Sequence, residues 1–132
     1  MTSYKTFKLL DNCSFRYSCE NGYLKNAQRR YSLENIDIHA HDDYIFRNSC
    51  IYGHLNIAQW LHSLGSVNIH AYSDYAFRQS CAYGCLEVVL WLTTICSEYE
   101  IISVSSSTIT YKINISDTFA WFKNIKAILF VF

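Results

Sequence analysis

Histidine and cysteine are the side chains of this sequence that could bind a metal ion. Zinc sites take four ligands, usually in compact local spacings. Cys81 and Cys85 are close in sequence, but no second pair of ligands stands beside them. The sequence therefore predicts no metal site and no cofactor, although it also contains five histidines: His39, His41, His54, His62 and His70.

The same residue types could form a cysteine nucleophile, which needs a histidine and an acid placed around it. No cysteine, histidine and acid occur together here in a recognised local signature. We therefore expect no catalytic residues, and we expect the protein not to be an enzyme.

Three arginines, Arg16, Arg47 and Arg78, recur at an interval of 31 residues. A row of guanidinium groups could bind phosphate or an acidic partner. However, Asp43 precedes Arg47 by four residues, which is the spacing of a charge pair on one helix. The same spacing separates Asp74 from Arg78. These matched acids favour a structural role for the arginines.

The interval of 31 residues applies to much of the chain. Six residue types keep this register three times over. A fixed period of this size is typical of stacked supersecondary units, each too small to bury its apolar face alone. Besides the arginines, the register is carried by Phe15, Phe46 and Phe77, Ser18, Ser49 and Ser80, Cys19, Cys50 and Cys81, Gly22, Gly53 and Gly84, and Leu24, Leu55 and Leu86.

The repeat divides the chain into units and flanking segments. The predicted domains are a leader at 1–11, a degenerate unit at 12–42, the clearest unit at 43–73, a unit at 74–102 that loses register at its end, and a non-repeat tail at 103–132.

The clearest unit predicts two helices. Asp43 is expected to cap the first helix, and Gly53 is expected to end it, because glycine is a natural C-terminal stop. The second helix runs from near His54 to Gly65 and carries an apolar stripe. A short extended finger, residues 66–73, follows it.

The first unit departs from this pattern because Arg29 and Arg30 replace Trp60 and Leu61. A polar outer face is expected of a terminal repeat, since it keeps a stacked array soluble. The alternative is a basic docking site.

The tail differs from the repeats. Residues 109–115 alternate between apolar and polar side chains and predict a half-buried strand. The segment 117–132 is strongly apolar, but Lys123 and Lys126 leave too little uninterrupted length for a membrane span. The tail either covers the end of the third unit or remains from a longer array that was truncated or frame-shifted.

Composition narrows the class of partner. The 132 residues fit one domain, and a formal net charge of zero gives no support for a nucleic-acid partner. We expect no membrane partner either.

Cys19, Cys50 and Cys81 share one register, and packed helices lie too far apart for disulfides between such positions. Residues 1–10 carry polar side chains and no apolar core segment, so we expect no secretory signal before them. Reduced, buried thiols and an intracellular, cytoplasmic setting are the expectation.

The segment from Phe46 to Leu55, FRNSCIYGHL, resembles the ankyrin repeat. Residues 44–47 stand where that family has TPLH, 53–58 where it has GHLEVV, and 67–71 where it has ADVNA. Residues 84–89, GCLEVV, match the second of these motifs even better. The resemblance covers residues 12–96. Phe-Arg replaces the usual Leu-His in these units. With this replacement, the units resemble the ankyrin repeats abundant in large DNA viruses of amoebae.

This resemblance implies an all-α fold, an ankyrin-like solenoid of helix-turn-helix units followed by a non-repeat tail. It also implies a protein-interaction scaffold with no catalytic residues, and, for a viral protein, a host protein as partner and the host cytoplasm as location. The alternative is a remnant of a longer ankyrin array with no independent activity.

Positions that vary between units predict the binding face. Residues at the seams between units must be small or apolar, whereas residues on the concave side are free to vary. Tyrosine offers a large amphipathic contact and is enriched at the energetic centres of interfaces. The sequence therefore predicts one continuous partner-binding surface that consists of Asn48, Tyr52, Tyr72, Gln79 and Tyr83. The alternative is that these positions are merely solvated.

Overall fold

The computed structural model describes residues 14–114 of the chain. This part is mostly helical and ends in a small two-stranded antiparallel sheet. The predicted leader, 1–11, and the apolar segment 117–132 lie outside the described residues. The elements are α1 (14–20), α2 (Leu24–Leu33), α3 (Ala40–Ile51), α4 (Leu55–Ser63), α5 (Ala71–Ala82), α6 (Leu86–Ile95), β1 (Tyr99–Val104) and β2 (Ile109–Ile113).

The helices come in pairs that follow the sequence period. Helix α3 contacts α4 within the second unit, and α5 contacts α6 within the third. Between these units, α3 packs on α5 and α4 packs on α6. First helices therefore lie beside first helices and second beside second. No helix within residues 14–114 has both the length and the apolar character that crossing a bilayer requires.

Glycine ends the first helix of each unit, as predicted. Gly22, Gly53 and Gly84 all have φ between 70° and 78°, in the left-handed region that favours glycine. In the second unit the Gly53 N–H donates to the Cys50 carbonyl, and the His54 N–H donates to the Ser49 carbonyl. These bonds satisfy carbonyl groups at the helix end and turn the chain toward the second helix.

The start of the first helices differs from the sequence prediction. His41, Asp42 and Asp43 form a left-handed turn with φ of 54°, 56° and 57°, and right-handed helix follows it. Residues 72–74 form the same turn in the third unit. The predicted capping role of Asp43 is wrong: its carboxylate accepts a hydrogen bond from the Asn68 N–H at 2.9 Å and contacts His39. That carboxylate therefore connects the second unit to the loop that leads into the third.

The core lies along the seams between units. Phe15, Phe46 and Phe77 are each at most 1% exposed. Trp60 meets Phe15 edge-on with ring centroids 6.2 Å apart, and Trp91 meets Phe46 in the same way at 6.3 Å. Each phenylalanine of the first two units is thus covered by a tryptophan from the next unit.

A β-hairpin covers the third phenylalanine. The Tyr99 ring stacks on Phe77 with centroids 4.0 Å apart, and Tyr111 meets the same ring edge-on at 5.2 Å. Strand β2 confirms the strand predicted from the alternating residues of the tail. Its partner β1 lies at the end of the third unit, where the sequence loses the register of the repeat, so the all-α prediction holds only for the helical units.

Candidate functional site

Four of the five predicted partner-binding residues lie on neighbouring first helices. Asn48 and Tyr52 are at the end of α3, and Gln79 and Tyr83 are at the equivalent end of α5. In each pair the residues are four apart, so they share one helix face. Tyr52 is 56% exposed and Tyr83 is 68% exposed, whereas the two amides are half-buried. Because α3 packs on α5, the two pairs belong to adjoining surfaces.

Tyr72, the fifth predicted residue, lies elsewhere. It is in the left-handed turn that opens α5, at the opposite end of this helix from Tyr83. Its ring is 60% exposed and packs against the Arg47 guanidinium at 4.4 Å from the ring centroid. Tyr72 therefore contributes to the packing between two units as well as to the surface.

Two exposed tyrosines of the first unit were not among the predicted residues. Tyr17 is 60% exposed, Tyr23 is 49% exposed, and their rings lie 6.3 Å apart. Tyr17 occupies the position of Asn48 in the period, which is the signal that could have identified it. We call Tyr17, Tyr23, Tyr52 and Tyr83 the tyrosine row.

Two of the three periodic arginines bind backbone carbonyls of the left-handed turns, whereas Arg16 lies 3.9 Å from the Glu20 carboxylate. Arg47 donates to the carbonyls of Asp42 at 3.0 Å and His41 at 2.9 Å, and it is 8% exposed. Arg78 makes the equivalent bonds to Ser73 at 2.7 Å and Tyr72 at 3.2 Å. A structural role is thus supported, but Arg47 reaches it through carbonyl groups rather than through the predicted pair with Asp43.

One hydrogen bond joins each second helix to the preceding unit. His54 Nε2 donates to the Glu20 carbonyl at 2.7 Å. In the next unit the Cys85 thiol donates to the equivalent carbonyl, that of Ile51, at 3.2 Å. The residue after the helix-ending glycine therefore fixes its unit to the preceding one through a side-chain hydrogen bond.

The five described cysteines are unpaired thiols. Burial, with a smaller contribution from Glu20, raises the pKa of the Cys19 thiol to about 12. Burial also raises the pKa of Cys81 to about 12, with a smaller contribution from Cys85. Cys50 is fully buried and its pKa is raised in the same sense. A raised pKa suppresses the thiolate, so these thiols are poor nucleophiles.

A cavity of about 310 Å³ lies beside α1 and α2 in the first unit. Its lining includes Arg29 and Arg30, the residues behind the basic-docking alternative. Arg30 binds Glu34 through a hydrogen bond of 3.0 Å, so part of this positive charge is compensated locally.

One group of potential metal ligands lies at the other end of the described chain. A ring nitrogen of His70, the Cys96 sulfur and a Glu98 carboxylate oxygen all lie within 4.8 Å of one another. The His70 Nδ1 atom is 2.5 Å from the Asp74 carboxylate, which also accepts a hydrogen bond of 2.6 Å from the Tyr99 hydroxyl. Burial, followed by this hydrogen bond, raises the pKa of Tyr99, so the hydroxyl stays a donor.

Comparison with known proteins does not extend these observations. No family model, no curated protein and no solved structure matches this chain.

Proposed function

We propose that this protein is an interaction scaffold of ankyrin-like repeats that binds a protein partner. The observation that carries the proposal is the pairing of exposed Tyr52 and Tyr83 on adjoining helix ends, each beside a half-buried amide. Large exposed aromatic side chains next to hydrogen-bonding groups are typical of the energetic centres of interfaces.

The helix pairs support the same proposal. Units that contact their neighbours through a buried seam leave their first helices free to present a continuous row of side chains. The tyrosine row occurs along this side in all three units, whereas the seam positions keep their residue types. The five described cysteines are unpaired, which fits a reducing, intracellular compartment. The resemblance to the repeats of large DNA viruses makes a host protein the first partner to test.

The partner can be sought with a photo-crosslinking amino acid at position 83. The matched control carries the same group at position 90, because Leu90 is also exposed, at 49%, but lies on second helix α6. We expect a protein that crosslinks from position 83 and not from position 90. Equal crosslinking from both positions, or none from either, would favour the alternative of an array remnant without independent activity.

The purified partner then allows a quantitative test. Tyr52→Ala and Tyr83→Ala should each weaken binding by more than about 1 kcal/mol, because each removes a large contact area from the interface. Leu90→Ala should bind like the parent protein. Thermal melting of all three variants establishes that the fold is intact. Parental affinity in both tyrosine variants would show that the face is wrong.

A further inference from the structure

We propose that His70, Cys96 and Glu98 form a zinc site that clamps the C-terminal hairpin to the third unit. The three residues come from two segments: His70 immediately precedes α5, whereas Cys96 and Glu98 lie in the turn between α6 and β1. We call this group the HCE cluster. It goes beyond the proposed scaffold function and does not depend on it.

The distances within the HCE cluster suit a small cation. Its ligand atoms all lie within 4.8 Å of one another. In a tetrahedral zinc site the ligand atoms lie roughly 3–4 Å apart, as follows from metal–ligand bonds of about 2.0–2.3 Å. His70 is exposed and Glu98 is half-buried, so small side-chain rotations can close the difference.

The ligand types select the metal. A thiolate, an imidazole and a carboxylate are all zinc ligands, whereas magnesium and calcium prefer oxygen atoms alone. Three protein ligands leave a fourth tetrahedral position, which water fills. The chemistry therefore indicates Zn²⁺, with Co²⁺ as its spectroscopic substitute.

One neighbouring carboxylate holds the histidine of the HCE cluster in place. The Asp74 carboxylate contacts His70 Nδ1, and a carboxylate on a ring nitrogen is the usual support of a metal-ligating histidine. Asp74 is fixed in turn by the Tyr99 hydroxyl.

The second unit provides an internal comparison. His39 Nδ1 lies 2.5 Å from the Asp43 carboxylate, the same geometry as in the third unit. However, Gly65 and Val67 occupy the positions that correspond to Cys96 and Glu98. The histidine–aspartate pair therefore serves the repeat itself, and the thiol and the carboxylate are additions confined to the unit that carries the hairpin.

The test is a Co²⁺ titration of the full-length, metal-free protein, followed by absorption spectroscopy. We expect one equivalent to bind and to give a thiolate-to-cobalt charge-transfer band that zinc abolishes. Cys96→Ser should lose the band, and Glu98→Gln should weaken Co²⁺ binding at least about tenfold. Zn²⁺ should also raise the melting temperature of the parent protein, because it binds only the folded state.

Two variants serve as matched controls. Cys85→Ser removes a half-buried thiol outside the HCE cluster, and His39→Gln removes the equivalent histidine–aspartate contact of the second unit. Both should keep the cobalt band and the zinc-induced shift in melting temperature. Circular dichroism identifies any variant that does not fold. If Cys96→Ser does not fold, Glu98→Gln still tests the site, because it changes only a half-buried side chain in a turn. Failure of the parent protein to bind one equivalent, a band that survives in Cys96→Ser, or a Co²⁺ affinity of Glu98→Gln equal to that of the parent protein would overturn the proposal.

Discussion

The Arg47 side chain stabilises the left-handed turn formed by residues 41–43. Three successive residues with positive φ are costly without glycine, because the side chain crowds the following carbonyl. The turn also directs the carbonyls of His41 and Asp42 to one point, and the Arg47 guanidinium donates to both. The planar guanidinium holds its donors in one fixed fork and so makes both bonds in a set geometry, whereas an ammonium group is a compact charge without that fork. The repeated arginine is therefore tied to the repeated turn.

The buried thiols make stability depend on pH in the alkaline range. The pKa values of Cys19 and Cys81 are about 12 in the folded protein, above the ordinary value of 9.0. A folded-state pKa that is raised favours folding fully below pH 9 and loses this contribution as pH rises toward 12. We expect the free energy of unfolding, measured by urea denaturation, to fall over this range.

The matched comparison is Cys81→Ala. This variant should be less stable at neutral pH because it leaves a small cavity, but its stability should decrease less steeply above pH 9. A slope identical to that of the parent protein would show that this thiol does not titrate with folding.

At the scale of elements, the glycine that ends each first helix has a second role where units meet. A Cβ atom at Gly22 would lie 2.8 Å from the His54 ring, which reaches across to the Glu20 carbonyl. At Gly84 the same addition meets nothing within 4 Å. Both glycines have positive φ, so the backbone strain of a substitution is comparable and only the contact differs.

This difference predicts unequal effects of one substitution. Gly84→Ala should cost about 1 kcal/mol of unfolding free energy through strain alone. Gly22→Ala should cost about 1–3 kcal/mol more, because the His54 ring must move and its inter-unit hydrogen bond weakens. Urea denaturation measures both variants. In a His54→Ala background, Gly22→Ala should lose most of this additional cost, because the ring that it would contact is absent. Equal costs for Gly22→Ala and Gly84→Ala in the parent protein would contradict the proposed contact.

The period predicted the helix pairs and the glycine stops because both depend on local sequence. It did not predict the left-handed turns, since Asp42 and Asp43 favour ordinary helix starts and the bonds from Arg47 and Asn68 that accompany the turn are not visible in the period. The HCE cluster was missed for a related reason: His70 and Cys96 are far apart in sequence and meet only through the path of α5 and α6. The exposure of Tyr52 and Tyr83 agrees with the predicted face, while its partner stays a prediction.

At the scale of the whole molecule, the hairpin takes the place of a further unit. Phe15 and Phe46 are covered by tryptophans of the following units, but Phe77 is covered by Tyr99 and Tyr111. The two strands also contact α5 and α6. Burial of Phe77, the periodic phenylalanine of the third unit, therefore depends on residues that follow the helices.

Deletion of residues 103–132 should lower the melting temperature, because it removes β2 and leaves Phe77 partly uncovered. Tyr111→Ala should reproduce part of this loss, about 1–3 kcal/mol in unfolding free energy, since it removes one edge-on contact and some buried area. Val104→Ala is the control, because this side chain of the same hairpin is 50% exposed. An unchanged melting curve after the deletion would mean that the tail contributes nothing to the stability of the repeat units.

The covered ring of Phe77 also bears on how copies of the chain meet. Repeat units present different surfaces at their two ends, and such surfaces can join head to tail into open filaments. The hairpin places Tyr99 on the ring that an incoming unit would need to contact. Growth of a polymer from this end would require expulsion of a stacked, hydrogen-bonded tyrosine, so we expect the hairpin to disfavour head-to-tail assembly there.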